Sequence, residues 1–177
     1  MMNKIIILIF LIFSQIISFS QTIRSNGSGG GDWSAGASWT GGIAPSIGNT
    51  AIIEAGDNII VSGNSSITNI VLYGNGTTLT VNNGITLSIS DWFWSNAQAV
   101  NQSLNIINNG TINCVRMTVK DFQKSNFTLN FSGTGIINCS NYGEYSSAAS
   151  GMSVSMGNKL IIGSQFLLQG STLTFAS

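Results

Sequence analysis

The chain has 177 residues, six basic and six acidic side chains, no histidine, and only 7% charged residues against 43% hydrophobic ones. That length suits one domain with a real core rather than two. It has no basic face for nucleic-acid phosphates, and apolar residues are too frequent for a disordered chain. Asparagine, serine, threonine and glycine take the place of charge, so the surface relies on neutral hydrogen bonds.

The first element in chain order is MMNKIIILIFLIFSQIISFS, residues 1–20. Lys4, an apolar run from Ile5 to Phe13, and small residues at Ser18 and Ser20 follow the layout of a secretory signal peptide cleaved after Ser20. The unbroken run is shorter than the roughly 20 residues of a membrane span, and no later segment is apolar enough to be one. The expected product is therefore a secreted, extracellular or cell-surface protein with no membrane span in the mature chain. Cleavage removes Lys4 and leaves five basic residues against six acidic ones.

Residues 21–50 are glycine-rich and carry Trp33 and Trp39. Two large aromatics in such a loop suit a cap over the open end of a repeat stack, and a sugar-stacking platform is the alternative.

From residue 51 to 177 the chain repeats itself. LTVNNGITLSI starts at Leu79, LNIINNGTINC at Leu104 and LNFSGTGIINC at Leu129, 25 residues apart each time, with AIIEAGDNIIV as a looser earlier copy in which Gly56 takes the place of Gly84. Within each phrase, apolar and polar residues alternate on either side of a glycine-bearing turn, the pattern of strands with one buried face. A fixed period of this size predicts an all-β solenoid of stacked coils, because one coil cannot bury its apolar face alone. A β-sandwich of hairpins is the alternative, but it gives no reason for a constant interval. In the solenoid, Leu79, Leu104 and Leu129 form one inward ladder. Thr78, Thr80, Ser103, Asn105, Thr128 and Asn130 then point outward.

The same interval separates the two cysteines, Cys114 and Cys139, and makes them ladder neighbours about 4.8 Å apart. That separation admits a disulfide, and it equally admits two stacked free thiols. Two cysteines with no histidine are too few for zinc.

Residues 31–81, GDWSAGASWTGGIAPSIGNTAIIEAGDNIIVSGNSSITNIVLYGNGTTLTV, carry Trp33, Trp39, Gly41 and Gly42 ahead of Pro45, Gly48, and the strand-turn-strand IIEAGDNIIV. Together with the leucine-rich coil that follows, to about residue 90, they resemble the glycine-rich β-repeat modules of secreted and surface proteins of Bacteroidetes and, more distantly, G8 domains. The resemblance implies an extracellular, all-β, solenoid-like module and no defined chemistry.

Candidate site residues are few. In DWFWSNAQ, Trp92 and Trp94 share one side of an extended segment and Phe93 takes the other, so the tryptophans are either core or a platform for pyranose rings. In VRMTVKDFQK, Arg116, Thr118 and Lys120 alternate with Val115, Met117 and Val119, and the first three make an outward row suited to an acidic glycan. Trp92, Trp94, Arg116 and Lys120 are thus the candidate glycan contacts. The acids Asp32, Glu54, Asp57, Asp91, Asp121 and Glu144 are scattered, with Asp57 and Asp91 at turn positions, and no nucleophile motif accompanies them. The chain reads as a non-enzymatic, cofactor-free structural or adhesive module, with a carbohydrate-binding module as the alternative and, behind it, a fragment of a polysaccharide-active enzyme. TLT recurs only at 78–80 and 172–174, short of the regular threonine array an ice-binding face needs. The apolar strands Leu160–Leu168 and Leu173–Phe175 finish without a polar cap, so the C-terminal coil is expected to self-associate.

Overall fold

The computed structural model describes residues 20–96, 101–120, 127–145, 152–169 and 171–175; the expected signal peptide, except for its last residue Ser20, lies outside them, as do Asp121 and Lys124. Among the described residues fourteen strands, β1 (Thr22–Arg24), β2 (Gly30–Asp32), β3 (Thr50–Ile53), β4 (Asn58–Val61), β5 (Ser65–Tyr73), β6 (Thr78–Val81), β7 (Thr86–Asn96), β8 (Ser103–Asn108), β9 (Thr111–Lys120), β10 (Phe127–Ser132), β11 (Ile136–Tyr145), β12 (Met152–Met156), β13 (Lys159–Gln169) and β14 (Ser171–Phe175), follow one another along the chain. The odd strands stack in order into one seven-stranded sheet and the even strands into another. Every strand pairing is parallel. A hairpin sandwich would pair consecutive strands antiparallel; here each strand pairs with the one two places later, so the chain is a β-solenoid.

The alternation in the sequence is the cause. Leu79, Leu104 and Leu129 point inward and are fully buried, with Ile53, Ile59, Ile67, Leu87, Ile112 and Ile137 around them. The polar residues between them stay half-exposed and bond from coil to coil: Asn130 Nδ2 donates to Asn105 Oδ1 at 3.1 Å, Asn138 Nδ2 to Asn113 Oδ1 at 2.8 Å, and Thr80 Oγ1 to Asn58 Oδ1 at 3.0 Å.

The register differs from the repeat alignment in one place. Leu104 pairs with Leu129 as expected, whereas Leu79 pairs with Ile106 and not with Leu104. A slide of two residues keeps every side chain on its own face, so burial does not resist it. AIIEAGDNIIV also turns at a different corner from LTVNNGITLSI. Gly56 lies beneath Gly76, and its N–H donates to the Asn75 carbonyl at 3.0 Å; the Gly84 turn stacks instead under Gly110, where Thr111 N donates to the Ile85 carbonyl at 2.8 Å.

The odd strands from β5 onward are long, and pairing breaks part-way along them, between Ile67 and Asn69, Ile89 and Trp92, and Cys139 and Asn141. The extra residues at these bulges bend the strand. Each such rung therefore comprises three runs, for example Thr86–Ile89, Trp92–Asn96 and Ser103–Asn108.

The rungs begin earlier than residue 51, since β1 and β2 already pair with β3 and β4. The segment after β2 covers the end of the stack. Trp33 and Trp39 are 3% and 2% exposed, meet edge to face at 5.2 Å, and are tied by Trp39 Nε1 donating to the Trp33 carbonyl at 2.8 Å. Both rings are buried, so neither offers an open face for a sugar to stack on. Asp57, at a turn position in the sequence, is fully buried and accepts the N–H groups of Gly27 (2.9 Å) and Gly29 (2.8 Å), pinning the glycine loop to the next rung. Gly30 sits so close to the strand below that an added Cβ would fall 2.0 Å from the Asn58 carbonyl oxygen.

Candidate functional site

The second run of β7 resumes strand alternation after the bulge at Ser90 and Asp91. Phe93 points inward at 2% exposure, and Trp92 and Trp94 point outward, half-buried. The two indoles lie 5.6 Å apart at 53°. Register sets Arg116 of β9 directly beside Trp92, and Thr118 beside Trp94.

These neighbours are closely engaged. The Arg116 guanidinium lies over the Trp92 ring, 4.2 Å from its centroid, a cation–π contact. Its Nε donates to Asp91 Oδ1 at 3.1 Å, and its Nη2 donates to the same oxygen. Trp92 Nε1 donates to Thr118 Oγ1 at 2.9 Å, and Trp92 N donates to Asn69 Oδ1 at 3.1 Å. Trp92 is thus tied to the rung on either side of it, and one face of its ring carries Arg116.

Of the candidate glycan contacts, Trp92, Trp94 and Arg116 come together on one outward face. Lys120 closes β9, where its backbone pairs with Tyr145. The alternation read for VRMTVK holds from Arg116 to Val119 and fails at Val115, which is 42% exposed because it occupies the bend between the two runs of β9. Asp91, read as a turn residue, belongs to this cluster. The signal for it was present: Asp91 and Arg116 are 25 residues apart, one coil length.

No family model, curated protein or solved structure matches the chain. The functional reading therefore rests on its own residues.

A second cluster surrounds the cysteines. Cys114 and Cys139 are register partners on β9 and β11, as their spacing predicts, and both are free thiols, 7% and 4% exposed. They lie in a groove of about 420 Å³ that follows the strand bends across the rungs. The hydrogen bond from Cys114 to Cys139, helped by burial, pushes the Cys114 thiol above its ordinary range. The same bond holds Cys139 below its own.

The described carboxylates each have structural partners. Glu54 pairs with Arg24, which also lies 5.5 Å over the Tyr73 ring. Asp32 accepts from Ser34 and Ser62. Glu144 is fully buried and accepts the Tyr142 hydroxyl at 2.5 Å; burial first, then the Glu144 charge, raise the Tyr142 phenol well above its usual value. Among the described residues no three of His, Cys, Asp and Glu gather as a metal site, and no helix is long and apolar enough to cross a membrane.

Proposed function

We propose that the chain is a secreted structural and adhesive module: a stiff β-solenoid rod with a neutral, amide- and hydroxyl-rich surface at or outside the cell. One observation carries this reading. The most conspicuous outward side chains, Trp92 and Arg116, spend their contacts on each other and on neighbouring rungs, as do the asparagine pairs. An outward face that bonds along the rod axis stiffens the rod. The resemblance of residues 31–90 to secreted β-repeat modules points the same way, as does the signal-like start of the chain.

Adhesion would use the edge of the stack. β13 is the last strand of its sheet among the described residues, and Ile161, Phe166 and Leu167 on it are 43%, 48% and 37% exposed. A terminal strand with exposed apolar side chains favours pairing with a second copy.

The second reading, a carbohydrate-binding module, is favoured by the half-exposed pair Trp92 and Trp94 beside a cation. A glycan-array screen of residues 21–177 with Trp92→Ala and Trp94→Ala decides between them. No tryptophan-dependent binding, with all three proteins folded alike, is the result expected of a rod. Binding to one glycan class that both variants lose overturns the rod in favour of recognition.

A further inference from the structure

The cysteine pair has three properties that belong together. Parallel register sets the two Cα atoms about 4.8 Å apart, inside the roughly 4.4–6.8 Å span a disulfide accepts. Both side chains are buried in the core, on adjacent strands that pair Cys114 directly with Cys139. The groove at the strand bend gives a small molecule a route to them, between the exposed side chains of Val115 and Ile161. Among the described residues that line it, none is charged. Two thiols without a third donor cannot close a tetrahedral metal site, but they are the complete equipment for disulfide exchange.

We propose that Cys114 and Cys139 form a thiol–disulfide exchange site served by this groove, with Cys139 as the attacking thiol and Cys114 as the resolving one, whose oxidised form staples two successive coils. The co-reactant is a small, uncharged organic disulfide. Cys139, deprotonated, attacks one sulfur of that disulfide; its S–S bond breaks, one half leaves as a thiolate and takes up the proton Cys139 gave, and a mixed disulfide remains on Cys139. Cys114 then loses its proton and attacks the Cys139 sulfur, expelling the second half as a thiol. Two protein thiols have been oxidised to one disulfide and one disulfide reduced to two thiols, with no proton or electron left over. The order follows from the two environments: Cys139 is held below the ordinary thiol range and Cys114 above it, and thiolate is the reacting form. What the tryptophan face binds does not enter into this chemistry.

The test uses the reduced full-length secreted chain, hydroxyethyl disulfide as the probe, and acid-quenched peptide mass mapping. The wild type should pass through an adduct on Cys139 and finish two hydrogen atoms lighter with no adduct. Cys114→Ser should keep the adduct on Cys139. Cys139→Ser should take it up at Cys114 on the order of tenfold more slowly, and denaturant should abolish that difference. Wild-type thiols that both stay free overturn the site; a transient adduct mapping to Cys114, equal rates in the two variants, or a difference that survives denaturation overturns the assigned roles.

Discussion

Trp92 is tied to Asn69 in the rung before it and to Arg116 and Thr118 in the rung after. Removing it breaks a cation–π contact and a hydrogen bond together. Trp92→Ala is expected to lower unfolding free energy by about 1–2 kcal/mol. Asp91→Asn, which weakens a pair whose side chains are each about two-fifths exposed, should cost well under ~1 kcal/mol; chemical denaturation of both variants checks the order. Asp32 has a pH signature. Its hydrogen bonds from Ser34 and then Ser62 hold its carboxyl below the ordinary value of 3.8. A depressed folded-state pKa stabilises above the unfolded pKa, and that contribution is lost as pH falls through the folded one. Stability curves of the wild type and Asp32→Asn should therefore run parallel from neutral pH down to about pH 5 and converge in more acid solution. The pairing of Asp91 with Arg116 was legible in their spacing. The attachment of Asp57 to Gly27 and Gly29 was not, because it joins segments on either side of the point where the repeat begins.

At the scale of the strand and its corner, the stacked turns confine their glycines closely. A Cβ at Gly110 would lie 2.2 Å from the Ile85 carbonyl oxygen, and one at Gly135 would lie 2.2 Å from the Gly110 carbonyl oxygen. Neither neighbour is a flexible side chain. Gly110→Ala and Gly135→Ala should each cost about 2 kcal/mol or more, while Gly63→Ala, which meets nothing within 4 Å, should stay within ~0.5 kcal/mol. Thermal unfolding of the three variants tests this. Asn158 reinforces the same corner: its Nδ2 lies 2.9 Å from the Asn108 carbonyl, 3.0 Å from that of Gly133 and 3.3 Å from that of Gly135. An oxidised Cys114–Cys139 bond, enclosing a single coil, should add about 3 kcal/mol, read as a melting temperature higher by several degrees in the absence of reductant. Alternation predicted these strands and their buried faces. It could not place the bulges, because a bulge satisfies the pattern on both sides of it and only the neighbouring rung reveals the offset.

For the molecule as a whole, the two ends of the stack differ among the described residues. Trp33 and Trp39 cover one. The β13 edge presents Ile161, Phe166 and Leu167 to solvent. Self-association should therefore rise with concentration and weaken in Phe166→Lys. Light scattering across a hundredfold concentration range measures both, and a wild type that stays monomeric throughout sinks the proposed contact. The solenoid itself was readable from the 25-residue interval, because stacking demands near-equal coils. The alignment of Leu79 was not readable, since Leu104 and Ile106 are equally apolar and equally inward.

That pairing of Leu79 with Ile106 bears on errors in assembly. Sliding one coil over the next by a single residue turns the core out into water, and such a state is expelled at once. Sliding by two conceals the mistake: inward side chains stay inward and outward ones outward. The alternating pattern therefore has blind spots at every second position. Discrimination falls to the corners, where stacked glycine backbones and the Asn158 amide accept one alignment only. They act as proofreaders of the stack, and misregister by pairs is the fault their loss would release.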